Sequence, residues 1–252
     1  MSHAILGLLL CVVADTPHPT PYVGRPAFAL DDVFRFPAEP YAPQPGDVFL
    51  ATDRSGPIAL GHAAVGGAGV HHSGYIFARS DGRMAVIEAG PHNTLDVEVI
   101  DPYEHMLSHH VRGERVWVRR RLVPLTPEQS ARLTAFSEAQ EGKPFALGRG
   151  LSFMTPLTTK RGLLRTPFVG RVHGPDRERY FCSEMVIEAF VYAGLMDCAS
   201  ARPAATLPRD LFFGHSGNPW LDRHLGMDGA WAPPSRWLPD APPPCATPPA
   251  MP

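Results

Sequence analysis

Cysteine is scarce, with four in 252 residues. That excludes a small scaffold stapled by disulfides. Charge is also thin. Asp, Glu, Lys and Arg supply 19% of the chain, against roughly 25% in an average domain. Neither sign dominates, since the formal net charge is −2. Nothing in that balance asks for nucleic acid as a partner. No apolar run reaches the roughly 18–20 residues that a membrane-crossing helix needs. A phosphate loop is missing too, because no Lys-Ser/Thr follows Gly66-Gly67-Ala68-Gly69. Those glycines fit better a place where the chain comes close to a site. There is no internal repeat and no long run of like charge.

What is present is apolar material, 44% of the chain, enough for a real core. Proline is in excess. Its 29 residues are roughly twice the usual share of about 5%. They cluster at two ends, from Pro17 to Pro45 and from Pro203 to Pro252. Proline removes an amide donor and breaks helix interiors and central strands. The ends should therefore be extended, turn-rich wrappings, and the regular structure should lie at about 46–200.

The chain begins Met1-Ser2-His3, followed by an apolar stretch from Ala4 to Ala14. That is the length of a signal-peptide core and too short to span a bilayer. Val12 and Ala14 are small residues at −3 and −1 of a cut after Ala14, but no Lys or Arg precedes the stretch. The expectation is export to the periplasm or cell envelope. The alternative is a buried N-terminal strand in a cytoplasmic protein.

Gly46-Asp47 opens an apolar strand, Val48 to Ala51. Gly61 to Gly69 is rich in Gly and Ala and reads as a loop or a short helical turn. A strand is expected at Val70 to Ala78, then a Ser80-Asp81-Gly82 turn, then a strand at Met84 to Ala89. Together they make a β-hairpin. Thr94 to Ile100 alternates like a half-buried strand. Pro102 to Val111 reads as a short helix, and Arg115 to Arg119 as another strand. Thr126-Pro127-Glu128-Gln129 is a helix start, with Thr126 as cap, Pro127 at the first helical position and Gln129 completing a capping box. A last helix runs from about Cys182 to Tyr192, with Met185, Val186, Ala189 and Phe190 on its buried face. Strands bracketed by helices, with antiparallel pairings, give an α+β fold.

Cys182 stands at the start of that last helix. Its thiolate is favoured there by the partial positive charge and unpaired N–H groups of a helix N-terminus. Glu184, in the same turn, reads as a structural acid. A nucleophilic thiol needs a base, and His71 and His72 point to opposite faces of their strand. The orienting group is Glu88, the one charged residue in the run Met84 to Ala89. A two-residue Asp81-Gly82 turn would pair Glu88 with Tyr75, on His71's face. A three-residue Ser80-Asp81-Gly82 loop would place Glu88 opposite Gly74, on His72's face and diagonal to it. Ser-Asp-Gly suits the longer loop, with Gly82 left-handed. Diagonal neighbours lie about 7–8 Å apart, within carboxylate–imidazole reach.

The order Gly46-Asp47-Val48, His72-Ser73-Gly74-Tyr75-Ile76, Val86-Ile87-Glu88-Ala89, Tyr180-Phe181-Cys182-Ser183-Glu184-Met185-Val186 resembles the circularly permuted papain-like hydrolases. These are the YiiX-like branch of the NlpC-like cysteine peptidases and amidases. The likeness covers about residues 45–212. Thr206-Leu207-Pro208-Arg209-Asp210-Leu211 resembles that family's Thr-Pro-x-Asp-Leu segment with a leucine inserted. Phe181 stands where a second tyrosine is common. The resemblance implies a permuted papain-like fold, an antiparallel sheet packed against helices. It implies Cys182 as nucleophile, His72 as base and Glu88 as orienting acid, and so selects the three-residue loop. It further implies hydrolysis or transfer of an acyl group from an amide or ester through a thioester, with the Cys182 N–H among the oxyanion donors. Tyr180, Tyr75 and Arg179 are the expected substrate contacts. The substrate would be a cell-envelope peptide or a lipid-like acyl compound. The rival expectation is a non-catalytic binding module on the same fold.

The expected organisation is a signal peptide at 1–14, a Pro-rich segment at 15–45, the catalytic domain at 46–212 and a Pro-rich extension at 213–252. The connection before Cys182 carries Arg149, Lys160, Arg161, Arg165, Arg171, Arg177 and Arg179 against Asp176 and Glu178. It reads either as a solvated basic loop or as a lid over an acyl chain or anionic head group. His105 and His109, at i and i+4, would share a helix face and suit zinc. The Glu of a HExxH motif is absent and no further ligand is evident, so no metal and no cofactor is expected. Cys11 falls in the signal. In an exported protein, Cys198 and Cys245 would be free to pair and pin the tail.

Overall fold

The structure, a computed structural model, describes residues 18–54, 56–64, 67–90, 94–148, 177–216, 225, 227 and 229–242. Its strands are β1 (Tyr22–Val23), β2 (Glu39–Pro40), β3 (Val48–Ala51), β4 (His72–Ala78), β5 (Met84–Ala89), β6 (Val97–Ile100), β7 (Val116–Arg119) and β8 (Ser235–Leu238). Its helices are α1 (Gly56–Ala64), α2 (Pro102–Val111), α3 (Pro127–Gln140), α4 (Cys182–Tyr192) and α5 (Pro208–Phe213). The strands form one antiparallel sheet in the order β2-β1-β8-β7-β3-β4-β5-β6. The fold is α+β, as the pattern of strands and helices led us to expect.

The β4–β5 hairpin sets the geometry of everything near it. Its loop is the three-residue one, because the Arg79 N–H donates to the Arg83 carbonyl at 2.8 Å and Ala78 pairs with Met84. Gly82 has φ +85°, the left-handed position that the loop needs. Gly74 therefore sits opposite Glu88, and Glu88 shares a face with His72 rather than His71.

Alternation divides the sheet into two buried faces. Val48, Leu50, Tyr75, Phe77 and Ile87 pack with Leu133 of α3 and Met185 and Phe190 of α4. Phe49, Ala51, Ile76 and Val86 pack on the other side with Met106 of α2 and Trp237 of β8. The α3 start has both halves of the capping box: the Gln129 N–H donates to Thr126 Oγ1 at 3.2 Å and the Thr126 N–H to Gln129 Oε1 at 3.0 Å. Asp101 caps α2 by accepting from the Tyr103 and Glu104 N–H groups.

Several element boundaries differ from the sequence pattern. The first part of the Gly/Ala-rich piece, Gly61 to Ala64, belongs to a true helix, α1, which the low propensity of Gly56 and Gly61 conceals. β4 starts at His72 rather than Val70, and β6 at Val97 rather than Thr94. The proline-rich ends do more than wrap. Tyr22 pairs with Leu238, and Val118 of β7 pairs with Ser235, so both ends extend the sheet beyond residues 46–212. Trp231 Nε1–H also donates to the Gly46 carbonyl at 2.7 Å. Residues 1–14, Cys11, Cys245 and residues 149–176 of the basic connection lie outside the described residues, so the expected signal, lid and tail disulfide fall there. Cys198 is exposed. Among the described residues no helix is long and apolar enough to cross a membrane.

Candidate active site

Cys182 is the first residue of α4. Phe181 before it is extended, and its N–H donates to Glu184 Oε2 at 3.4 Å. The helix start is fixed from three sides. Ser183 Oγ donates to the Thr206 carbonyl at 2.6 Å. Arg177 bridges Glu188 at 2.9 Å and Glu184 at 3.4 Å. Asp210 in turn holds the Thr206–Leu211 segment by accepting from the Leu207 N–H at 2.9 Å. Glu184 is thus the structural acid that its position in the first turn suggested. The first amides of a helix have no carbonyl four residues back to bind, so the Cys182 end of α4 presents donors.

His72 opens β4 and is 5% exposed, while Cys182 is 7% exposed. The His72 Nε2 is hydrogen-bonded to Glu88 Oε2, and the Cys182 side chain lies close enough to the His72 ring to favour its charged form. With Nε2 on the carboxylate, Nδ1 is the nitrogen left for the thiol. Burial opposes a charge on this imidazole, but the Glu88 carboxylate and the Cys182 sulfur outweigh it and hold His72 well above its ordinary range. Burial likewise opposes the Glu88 charge, and His72 and then His105 overcome it, holding the carboxyl well below its usual range. The sheet register and the α4 start thus bring together the three residues singled out for catalysis.

His71 is committed elsewhere. Its Nδ1 accepts from the Asp53 N–H at 3.0 Å, and its ring packs on His62. Two of the expected substrate contacts need correction. Tyr75 is fully buried, and its hydroxyl hydrogen-bonds Ser137 at 2.9 Å. It points to the α3–α4 face, opposite to His72. Tyr180 is 1% exposed, with its hydroxyl accepting from the Arg177 N–H at 3.0 Å. Both rings pack the core, so neither can meet a substrate coming from solvent. Arg179 is exposed three residues before the thiol and keeps its place as a candidate contact.

The sequence missed what lies behind Glu88. His105 of α2 reaches the same carboxylate oxygen, Nε2 to Oε2, at 2.8 Å. His109, one turn further on, is bound through Nδ1 to Glu114 Oε2 at 2.5 Å. Burial, and then the neighbouring His105 and His72, push His109 down to about 2, so its ring is neutral. Phe49 packs against the rings of His105 and His109 at 4.9 and 5.2 Å. The ligating atoms of His72, Glu88, His105 and His109 all lie within 4.8 Å of one another. The i, i+4 pair signalled half of this cluster. The rest needed the α2 packing that no local pattern encodes. A cleft of about 760 Å3 lies on the α2 side, lined among others by Pro21, Tyr41, Arg79, Tyr103 and Trp237. None of Cys182, His72 and Glu88 lines it.

No protein-family model and no curated protein matches the chain. Among solved structures it is similar to the crystal structure of metalloprotein yiiX from Escherichia coli O157:H7. The two are 19% identical, and the match covers 77% of this chain and 88% of that one with a TM-score of 0.42.

Proposed function

We propose that this protein is a cysteine-dependent hydrolase or acyltransferase, built as a circularly permuted papain-like enzyme, that cleaves an amide or ester through a thioester. The observation that carries the reading is one imidazole held between a helix-start thiol and a buried carboxylate, in the order His72, Glu88, Cys182. His72 takes the thiol proton, and the Cys182 sulfur attacks the substrate carbonyl carbon. The carbonyl oxygen becomes an oxyanion facing the amide donors at the α4 start. The oxyanion collapses, the C–N or C–O bond breaks, and His72 gives its proton to the leaving group. Water or an acceptor hydroxyl or amine then loses a proton to His72 and attacks the thioester. The acyl group departs and the thiol is restored. Glu88 fixes the ring and balances its charge throughout. A cell-envelope peptide or a lipid-like acyl compound is the proposed substrate class, and export to the envelope fits the apolar N-terminal stretch.

The test is alkylation by an electrophilic thiol probe at neutral pH, with Cys198 as internal reference. Cys182 should react faster than Cys198, and His72→Ala should bring the two rates together. Equal rates in the unaltered protein would sink the enzyme reading and favour a non-catalytic binding module. Peptidoglycan fragments and acyl lipids, assayed side by side, then separate the two substrate classes.

A further inference from the structure

We propose that His72, Glu88, His105 and His109 form a buried site for a zinc-class divalent metal, and that metal in this site excludes thiol catalysis. The exclusion rests on the proposed function above, whereas the site itself does not.

Three imidazoles and one carboxylate are a donor set suited to zinc. All four side chains are buried, and their ligating atoms already lie within 4.8 Å of one another. A tetrahedral site with bonds of about 2.0–2.1 Å puts its ligands roughly 3.3 Å apart, so small side-chain shifts close it. Two observations point inward to a ligand. Glu88 is wholly buried, and its Oε1 has no hydrogen-bond partner, a costly state for a carboxylate oxygen. Glu114 holds His109 by Nδ1 at 2.5 Å, which leaves the Nε2 lone pair as the one His109 offers. A carboxylate on the far nitrogen is the arrangement that orients metal-bound histidines.

Two of these ligands are also the catalytic base and its partner. A metal takes the lone pair of His72 Nε2 and displaces the proton shared there with Glu88, which solvent carries to Nδ1. The neutral ring then holds its one proton on Nδ1, the nitrogen facing Cys182. It can no longer accept the thiol proton. Metal binding and acyl transfer are thereby alternatives at one imidazole.

The experiment uses the metal-free full chain and Zn2+ alone. Equilibrium dialysis with elemental analysis should give one Zn2+ per chain, and Co2+ should give the intense visible bands of a tetrahedral site. Cys182→Ser should bind Zn2+ within about twofold as tightly as the unaltered protein. His109→Gln should weaken binding by about 10–100-fold. Zn2+ should slow Cys182 alkylation at least tenfold, and His109→Gln should raise the Zn2+ concentration needed, each protein being compared with its own metal-free rate. Should His109→Gln fail to fold, Glu114→Gln replaces it, with weakened binding again expected. No bound metal, or binding lost in Cys182→Ser, overturns the site. Bound metal with unchanged alkylation overturns the exclusion. A Cys182 that is unreactive without metal defeats the hydrolase reading, while the stoichiometry and the Cys182→Ser result still decide the site.

Discussion

At the scale of single residues, two buried carboxylates play opposite parts. Glu88 is stabilised in its charged form by His72 and His105, and Asp47 is not stabilised in the same way. Asp47 accepts from the Arg121 N–H at 2.7 Å and from the Tyr41 hydroxyl at 2.8 Å, yet burial still raises its carboxyl to about 6. A raised acid binds its proton more tightly folded than unfolded. Asp47 therefore lowers stability as pH rises from about 4 to 6, by an amount on the order of 2–3 kcal/mol. His62 acts the other way. Burial lowers it to about 4, so it destabilises the fold as pH falls from about 6.5 towards 4. The two partly cancel. Asp47→Asn should make stability climb more steeply with pH in this window, and His62→Gln should make it climb less. Urea midpoints at several pH values check both. Under the proposed function, Glu88→Gln should cut turnover by about 10²–10⁴-fold, measured as kcat on whichever substrate class is cleaved. A loss under threefold would remove Glu88 from the mechanism.

At the scale of elements, the β4–β5 hairpin and the α4 start do the positioning. Gly74 faces Glu88 because a side chain there would run into the Ile87 carbonyl and approach Glu88 Cβ at 3.3 Å. Gly74→Ala should destabilise by about 1–3 kcal/mol and slow Cys182 alkylation as well, since the sheet must splay where the carboxylate is held. Ser183→Ala should cost about 1–2 kcal/mol by leaving the buried Thr206 carbonyl without its donor. Thermal melts and alkylation rates read both variants. These elements were also the legible ones. Ser80-Asp81-Gly82 is a short-range signal, and it determines which histidine meets Glu88. Thr126 and Gln129 mark α3, and the apolar stripe of 182–192 marks α4. What was hidden is long-range or of low propensity. α1 is built on glycine and alanine. The side of the sheet that α2 covers, and hence the meeting of His105 with Glu88, depends on packing across residues far apart in the chain. Tyr75 and Tyr180 stand in the core rather than at the site because both rings pack in one cluster with Leu133, Phe136 and Phe190. Alternation along β4 sends Tyr75 to the opposite face.

At the scale of the whole molecule, one sheet ties the proline-rich ends to the centre. β8 lies between β1 and β7, and Arg119 of β7, 1% exposed, donates to the carbonyls of Ala232 and Leu211 at 2.9 and 2.7 Å. A chain ending before Ala232 would leave β7 as a bare edge and Arg119 without its Ala232 acceptor. Such a truncation should lower the denaturation midpoint clearly and promote association, readable by urea melts and light scattering. The order of events during synthesis follows as well. Residues 48–119 leave the ribosome early and can form the β7-β3-β4-β5-β6 half of the sheet, which holds His72 and Glu88. The thiol arrives with residue 182, and the strand that seals β7 arrives last. A nascent chain therefore carries its imidazole and carboxylate before its thiol, and an open β7 edge from the synthesis of Arg119 until that of Ser235.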